Sequence, residues 1–247
     1  MDEPLLQCSG LRVGYAPARR GETSADGLFG GLDFSLAPGE LVALMGENGC
    51  GKSTLLKTFA GLLSTLAGSV NLCGTPVAAW DARARAQKVA LVRMSGSVPE
   101  RMTVRDFVSM GRSPYSGLFD GRSAEDEKAI ERAMDLTDVN RFANRQVSEL
   151  SDGERSRVYL AEAVAQQVKV LLLDEPNAFL DIPRSHALFR MLRDLAENRN
   201  MGIVVSTHSV EYAERYCKRI MVIDKGAIRV AAAAEARSSG LLDWTEA

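Results

Sequence analysis

The nine residues GENGCGKST, 46 to 54, constrain this chain more than any other stretch. They satisfy G-x-x-x-x-G-K-[ST], follow the apolar run ELVALMG at 40 to 46, and open STLLKTFAGLL, whose apolar spacing predicts a helix. A glycine-rich turn between a strand and a helix aims backbone N–H groups inward, as a nest for phosphate oxygens. Gly46, Glu47, Asn48, Gly49, Cys50, Gly51, Lys52, Ser53 and Thr54 therefore read as a nucleoside-triphosphate cradle. Within it Lys52 brings a point charge to the β- and γ-phosphates, and the Ser53 hydroxyl is placed to ligate Mg²⁺. Cys50 reads as a passive filler.

VLLLDEP, 170 to 176, is an apolar strand that ends in two carboxylates. Acids can simply terminate a strand, but residues at the carboxyl end of an open α/β sheet face the ligand crevice. Beside a phosphate cradle, Asp174 reads as the Mg²⁺ partner. Glu175 reads as the group that orients and deprotonates an attacking water. His208 follows another apolar strand, GIVVST, and in that company reads as a γ-phosphate contact, whereas His186, inside a predicted helix, reads as structural. No N-K-x-D guanine-reading motif occurs, which disfavours GTP.

Short strands dominate the first quarter: near 6 to 15, near 31 to 37, at 40 to 46 and at 68 to 74. A Gly-, Ala- and charge-rich stretch between Tyr15 and Leu32 predicts a long exposed loop. From about 82 to 165 the pattern is helical, and SAEDEKAIERAMDLTDV has a Ser N-cap with acids in its first turn. Alternating strands and helices then return, with a helix over 183 to 198, a short helix at VEYAERYC, and a strand RIMVID that turns at Lys225-Gly226. In the middle of this order, SELSDGERSR, 148 to 157, has two readings. Ser151 and Glu154 have the spacing of a capping box, while Ser and Gly at a helix start can bind phosphate.

The 247 residues are 46% hydrophobic and 25% charged, with a formal net charge of -2. Such a balance offers no strong field to nucleic acid or to an acidic membrane surface. Cys8, Cys50, Cys73 and Cys217 are scattered singly, so neither a disulfide frame nor a zinc site is expected, and a reducing compartment is. The first residues carry acids and no basic-then-apolar pattern, so no signal peptide is expected. No apolar run reaches the ~18 residues that span a bilayer, so membrane contact is expected through a partner.

GENGCGKST, LSDGE, LLLDEP, FLD and the His of STH occur in the order and approximate spacing of ABC ATPase nucleotide-binding subunits, which the chain resembles over nearly its whole length. The resemblance implies an α/β P-loop NTPase core, a mixed sheet flanked by helices, over 1–93 and 166–247, with an N-terminal antiparallel β part. It also implies an inserted helical subdomain over 94–165 that carries the LSDGE loop. ATP and Mg²⁺ are the implied cofactors, and the implied partners are a second copy of the chain, membrane-spanning permease subunits and, indirectly, a substrate-binding protein. In the implied head-to-tail dimer, Ser151, Asp152, Gly153 and Glu154 of one subunit face the ATP held by the other. Tyr15 matches the aromatic that stacks on adenine, and Asp181 matches the D-loop that crosses the dimer seam. The place implied is the cytoplasmic face of the plasma membrane, held peripherally.

Within that family, residues 103 to 126, TVRDFVSMGRSPYSGLFDGRSAED, resemble importer ATPases for iron-siderophore, haem or cobalamin uptake. Read from the residues alone, the same stretch is a helix stopped at Gly111 with Pro114 beyond it. A soluble assembly-type ABC ATPase and a weakly hydrolysing regulatory module are the competing functions. Retention of Lys52, Asp174, Glu175 and His208 argues against the second.

Two departures from the family pattern stand out. Counting back from MTV, Met94 occupies the place of the family's glutamine, yet hard cations want oxygen ligands. Either water fills that position or the register differs. The family's LSGGQ is here LSDGE, and two unit charges ~4 Å apart repel by roughly 4 kcal/mol at an effective dielectric near 20. A helix N-terminus offsets only about 0.3 to 2 kcal/mol of that. The two acids are therefore expected to point away from a bound nucleotide, with Glu154 folded back onto Ser151 and Asp152 facing solvent, in positive φ if the backbone demands it.

Overall fold

The computed structural model describes residues 3–15, 27–94, 101–115 and 121–242. In chain order the elements are β1 (Leu6–Gly14), β2 (Gly27–Leu36), β3 (Leu41–Gly46), α1 (Lys52–Phe59), β4 (Ala67–Leu72), β5 (Thr75–Pro76), α2 (Ala82–Ala86) and β6 (Val89–Arg93). Three helices follow, α3 (Val104–Ser109), α4 (Ala124–Leu136) and α5 (Asp152–Ala165). The chain then runs through β7 (Val170–Asp174), α6 (Ile182–Arg199), β8 (Gly202–Ser206), α7 (Val210–Tyr216), β9 (Arg219–Asp224) and β10 (Ala227–Ala232).

The central sheet has the order β10-β9-β3-β8-β7-β6. Every neighbouring pair from β9 to β6 is parallel, and β10 returns antiparallel to β9. Strands covered on both faces have no polar side to show, so β3 and β8 are buried at every residue and β7 at all but Asp174. The β9–β10 hairpin turns at Lys225 and Gly226, both at positive φ, which matches the twist of the strands it joins.

An antiparallel sheet, β2-β1-β4-β5, lies over α1. Leu6, Phe34, Leu44, Leu56 and Phe59 belong to the core between the two sheets, and Phe34 and Phe59 stack at 6.1 Å. A second core, centred on Phe189, Leu192 and Ile203, fills the other face of the central sheet. A third, including Phe107, Ile130, Met134 and Val158, is confined to α3, α4, α5 and their connections.

Two expectations about elements need correction. β2 starts at Gly27 rather than near 31, so Leu28 and Phe29 are strand residues. The β1–β2 register shifts at three points and Gly31 has φ +77°, which together break the two-residue alternation that marks a strand. The rest of the expected loop, 16–26, lies outside the described residues. The stretch from 82 to 165 is also not uniformly helical: β6, the VALVR strand that the family resemblance places before Met94, runs through it and pairs with β7 from Val89↔Val170 to Arg93↔Asp174.

The predicted helix starts are capped as their side chains suggest. Ser123 accepts from Asp126 N–H while the Asp126 carboxylate accepts from Ser123 N–H, a reciprocal box at the start of α4. Asp126 also accepts from buried Arg112 at 2.8 Å, and the guanidinium and Ser123 hold its carboxyl down at about 2. Among the described residues no helix is long and apolar enough to cross a membrane.

Candidate functional site

The phosphate loop hangs between the end of β3 and the start of α1, and its glycines are dictated by contact as well as by φ. A Cβ on Gly46, at φ +145°, would lie 2.5 Å from the Ile223 carbonyl oxygen and 2.7 Å from Cys50 Sγ. One on Gly51, at φ +111°, would lie 3.0 Å from Phe29 and 3.1 Å from Leu28. The antiparallel sheet therefore presses on the loop from one side and the β9 end from the other. Cys50 packs against the core between the sheets, and burial pushes its thiol up, which suits a filler and not a reactive group.

Lys52 is buried, and its ammonium reaches back across the loop to donate to Gly46 O at 2.8 Å and Glu47 O at 3.0 Å. Ser53 is exposed in the first turn of α1, while Thr54 is buried. The Tyr15 hydroxyl lies 3.2 Å from Thr54 Oγ1, with the tyrosine 55% exposed at the cleft's edge. Tyr15, Leu28, Asn48, Gly49, Lys52 and Glu175 line one open cleft.

The carboxyl ends of β7 and β8 complete this site. Ser206, fully buried at the end of β8, donates its hydroxyl to Asp174 Oδ1 at 3.0 Å and accepts from the Glu175 N–H at 2.8 Å. One hydroxyl thus sets both acids. Glu175 sits at φ +49°, a backbone region that costs a residue with a side chain of order 1–3 kcal/mol and recurs at functional sites. Its Oε1 lies 2.8 Å from His208 Nε2 and 3.7 Å from Lys52 Nζ, and the lysine and histidine nitrogens are 3.4 Å apart. Residues 52, 175 and 208 therefore converge on one point. Asn177 accepts from Thr207 Oγ1 at 3.3 Å, tying the turn after β7 to the residue before His208.

Met94 directly follows Arg93, the register partner of Asp174. Its partly buried side chain packs against the core of the central sheet and offers no oxygen there.

The LSDGE loop lies away from this cluster, at the start of α5. Ser151 and Glu154 form the expected box, with Ser151 N–H donating to Glu154 Oε2 at 2.9 Å and the Ser151 hydroxyl to the same oxygen at 2.8 Å. Those bonds lower the Glu154 carboxyl below its ordinary range. Asp152 is 62% exposed and pairs with Arg155 at 3.3 Å. It is the first residue of the helix and is absent from the positive-φ residues, so the anticipated left-handed backbone is not needed. Asp181 caps α6 by accepting from Arg184 N–H at 2.9 Å, flanked by exposed Phe179 and Ile182. His186 bonds the Tyr216 hydroxyl at 3.0 Å and packs α6 on α7, the structural role expected of it.

Two residues of this site escaped the sequence reading, Leu28 and Ser206. Ser206 had a signal, as a hydroxyl ending an otherwise apolar strand two residues before His208. Leu28 had none, since its contact is with Gly51, distant in sequence.

Residues 29–178 match the ABC transporter family. The cobalamin import ATP-binding protein of Halobacterium salinarum is 41% identical over 92% of this chain and 55% of its own length, so the chain spans little more than half of that relative. The hemin import ATP-binding protein of Nocardia farcinica is 39% identical over 93% of this chain and 77% of its own. A solved ATP-binding subunit of an ABC transporter superposes with a TM-score of 0.76 at 26% identity, covering 96% of this chain and 94% of that one. The chain belongs to the ABC transporter ATP-binding family.

Proposed function

We propose that this chain binds and hydrolyses ATP as one of a pair of subunits that power an importer for metal chelates of the siderophore, haem or cobalamin kind. The observation that carries the chemistry is the convergence of Lys52, Glu175 and His208 at the mouth of the phosphate loop. With a triphosphate in the loop, the N–H groups of 46–54 and the Lys52 ammonium hold its β- and γ-phosphates. Tyr15, at the cleft's edge, is the surface for the adenine. Glu175 orients a water and takes its proton as the oxygen bonds phosphorus and the bond to the ADP oxygen breaks, and His208 steadies both Glu175 and the γ-phosphate.

The oxygens of Ser53 and Asp174 suit a hard cation and would hold Mg²⁺, which neutralises phosphate charge when bound. Met94, packed against the core of the central sheet, adds no oxygen to that set. The Ser206 bridge keeps Asp174 and Glu175 in register for their two roles.

The part over 94–165 is the helical subdomain, and its loop, Ser151 to Glu154, together with Asp181, faces the nucleotide of the second copy. ATP closes the pair and hydrolysis reopens it, at the cytoplasmic face of permease subunits that take cargo from a binding protein. The cargo class follows residues 103–126 and relatives named for cobalamin and hemin import. The test is co-purification with membrane-spanning subunits expressed beside it, then phosphate release by the complex. A retained partner with cargo-stimulated turnover is expected. A chain that hydrolyses ATP but retains no partner is an assembly-type ATPase instead.

A further inference from the structure

The box that holds the Glu154 carboxylate has a second effect. The Ser151 hydroxyl proton is spent on Glu154 Oε2, so the loop's one side-chain donor is turned away from any phosphate. Asp152 and Glu154 are acceptors only. A loop that is to face a triphosphate thus carries two acids and keeps only backbone N–H groups to bind it.

A cation lies beside it. The cleft at this loop is lined by Arg141, Ser151, Gly153, Glu154, Arg157 and Arg184. Arg157 and Arg141 converge on one carboxylate, Asp138, at 2.8 and 4.0 Å. Arg184 is placed differently. Its side chain lies flat on Gly153, where an added Cβ would come 2.7 Å from its Cδ and 3.2 Å from its Nε. It is 56% exposed, and its ion pair with Asp181 is loose at 3.7 Å. Gly153 is helical and needs no unusual φ, so what its missing side chain provides is room for this guanidinium.

We propose that Arg184 is a phosphate-contacting residue, presented with the LSDGE loop to the terminal phosphate of the nucleotide on the second copy, where it replaces the donor lost to Glu154 and offsets the two acids. A guanidinium suits the task because its planar fork gives two parallel N–H bonds to a phosphate and keeps its charge at any working pH. The inference rests on the trans arrangement of the proposed function.

The test is ATP-driven association of the full chain, measured by sedimentation with Glu175→Gln present throughout to hold ATP. Arg184→Ala should weaken association by at least about tenfold, the size of a lost charge-assisted bond. Arg184→Lys, which keeps the charge but not the paired N–H bonds, should recover only part of that loss. In Asp152→Gly with Glu154→Gln, where the acids are gone, Arg184→Ala should cost less than about threefold. Equal losses in both backgrounds, or a lysine variant as poor as the alanine one, would make Arg184 a support for Asp181 and overturn the proposal. If the parent associates and Arg184→Ala associates equally well, the inference fails alone. If no variant associates with ATP, including the one freed of both acids, the trans reading fails with it.

Discussion

The two halves of the proposed nucleotide site are built in opposite ways. The half around the phosphate loop is assembled within one chain, where buried Lys52, buried Ser206, Asp174, Glu175 and His208 already bond one another. The half at the start of α5 is an exposed surface whose polar groups are satisfied only locally, Glu154 by Ser151 and Asp152 by Arg155. A preorganised group acts at the moment of reaction without reorganising, so the chemistry belongs to the first half. A surface with few bonds to break can meet and leave a partner, so in the proposed dimer closure falls to the second. Substitutions should separate the two, turnover from association.

The largest separation is expected at Glu175. Glu175→Gln keeps size and hydrogen bonding but cannot take a proton, so phosphate release should fall by about 10²- to 10⁴-fold while ATP-driven association persists. Turnover within twofold of the parent would remove Glu175 as the base and dissolve the division of labour. Ser206→Ala should be milder. It strips Asp174 of a donor and leaves the Glu175 N–H unpaired in a tight site, for a stability loss of about 1–3 kcal/mol. Turnover titrated against Mg²⁺ should fall about tenfold and need more Mg²⁺, since Asp174 and Glu175 are held by that one hydroxyl. A variant that melts lower yet keeps parental turnover and Mg²⁺ response would reduce Ser206 to packing.

The same division explains what was legible in the sequence. The phosphate loop was readable because GENGCGKST is contiguous and its physics is local: glycines at forced φ and N–H groups in a row. The Ser151–Glu154 box and the Ser123 N-cap were readable for the same reason, since such caps close over three residues. Glu175 and His208 were recognised as separate strand-end residues. That they touch depends on β7 and β8 lying side by side, which no short window contains. The first turn of β2 was missed because bulged pairing and Gly31 erase the period-2 signal. Arg184 was invisible for a subtler reason: its packing on Gly153 spans α5 and α6, which no short window contains.

The acids of the loop give the next test. If their charge is as well contained as these bonds indicate, Asp152→Gly with Glu154→Gln should raise ATP-driven association by less than about tenfold, on the scale of the roughly 1 kcal/mol that exposed charges carry. Glutamine keeps the reciprocal bond to Ser151 N–H, so the helix start should survive. A thousandfold gain in sedimentation-measured association would mean the native loop is a crippled surface rather than a quiet one.

The smallest effect contrasts two glutamates on one helix. Glu154, at the start of α5, has partners for its charge and a lowered pKa. Glu162, two turns on, lines a cleft with Leu62, Arg85, Val92 and Gln166, and burial pushes its carboxyl up to about 7. Arg85 shares that cleft, yet desolvation prevails. Between the ordinary carboxylate range and pH 7 the folded chain then binds a proton that the unfolded chain has released. Stability must therefore fall as pH rises through this window, and the penalty is nearly complete only about one unit above 7. Glu162→Gln removes the titrating group and keeps its shape. At pH 8 it should be the more stable protein, with a melting gain of several degrees, and at pH 4 the gain should vanish. A thermal-shift series over pH 4 to 8 in both proteins reads this directly. Parallel curves with a constant offset would show that Glu162 keeps its charge on folding, and that α5 treats its acids alike at both ends.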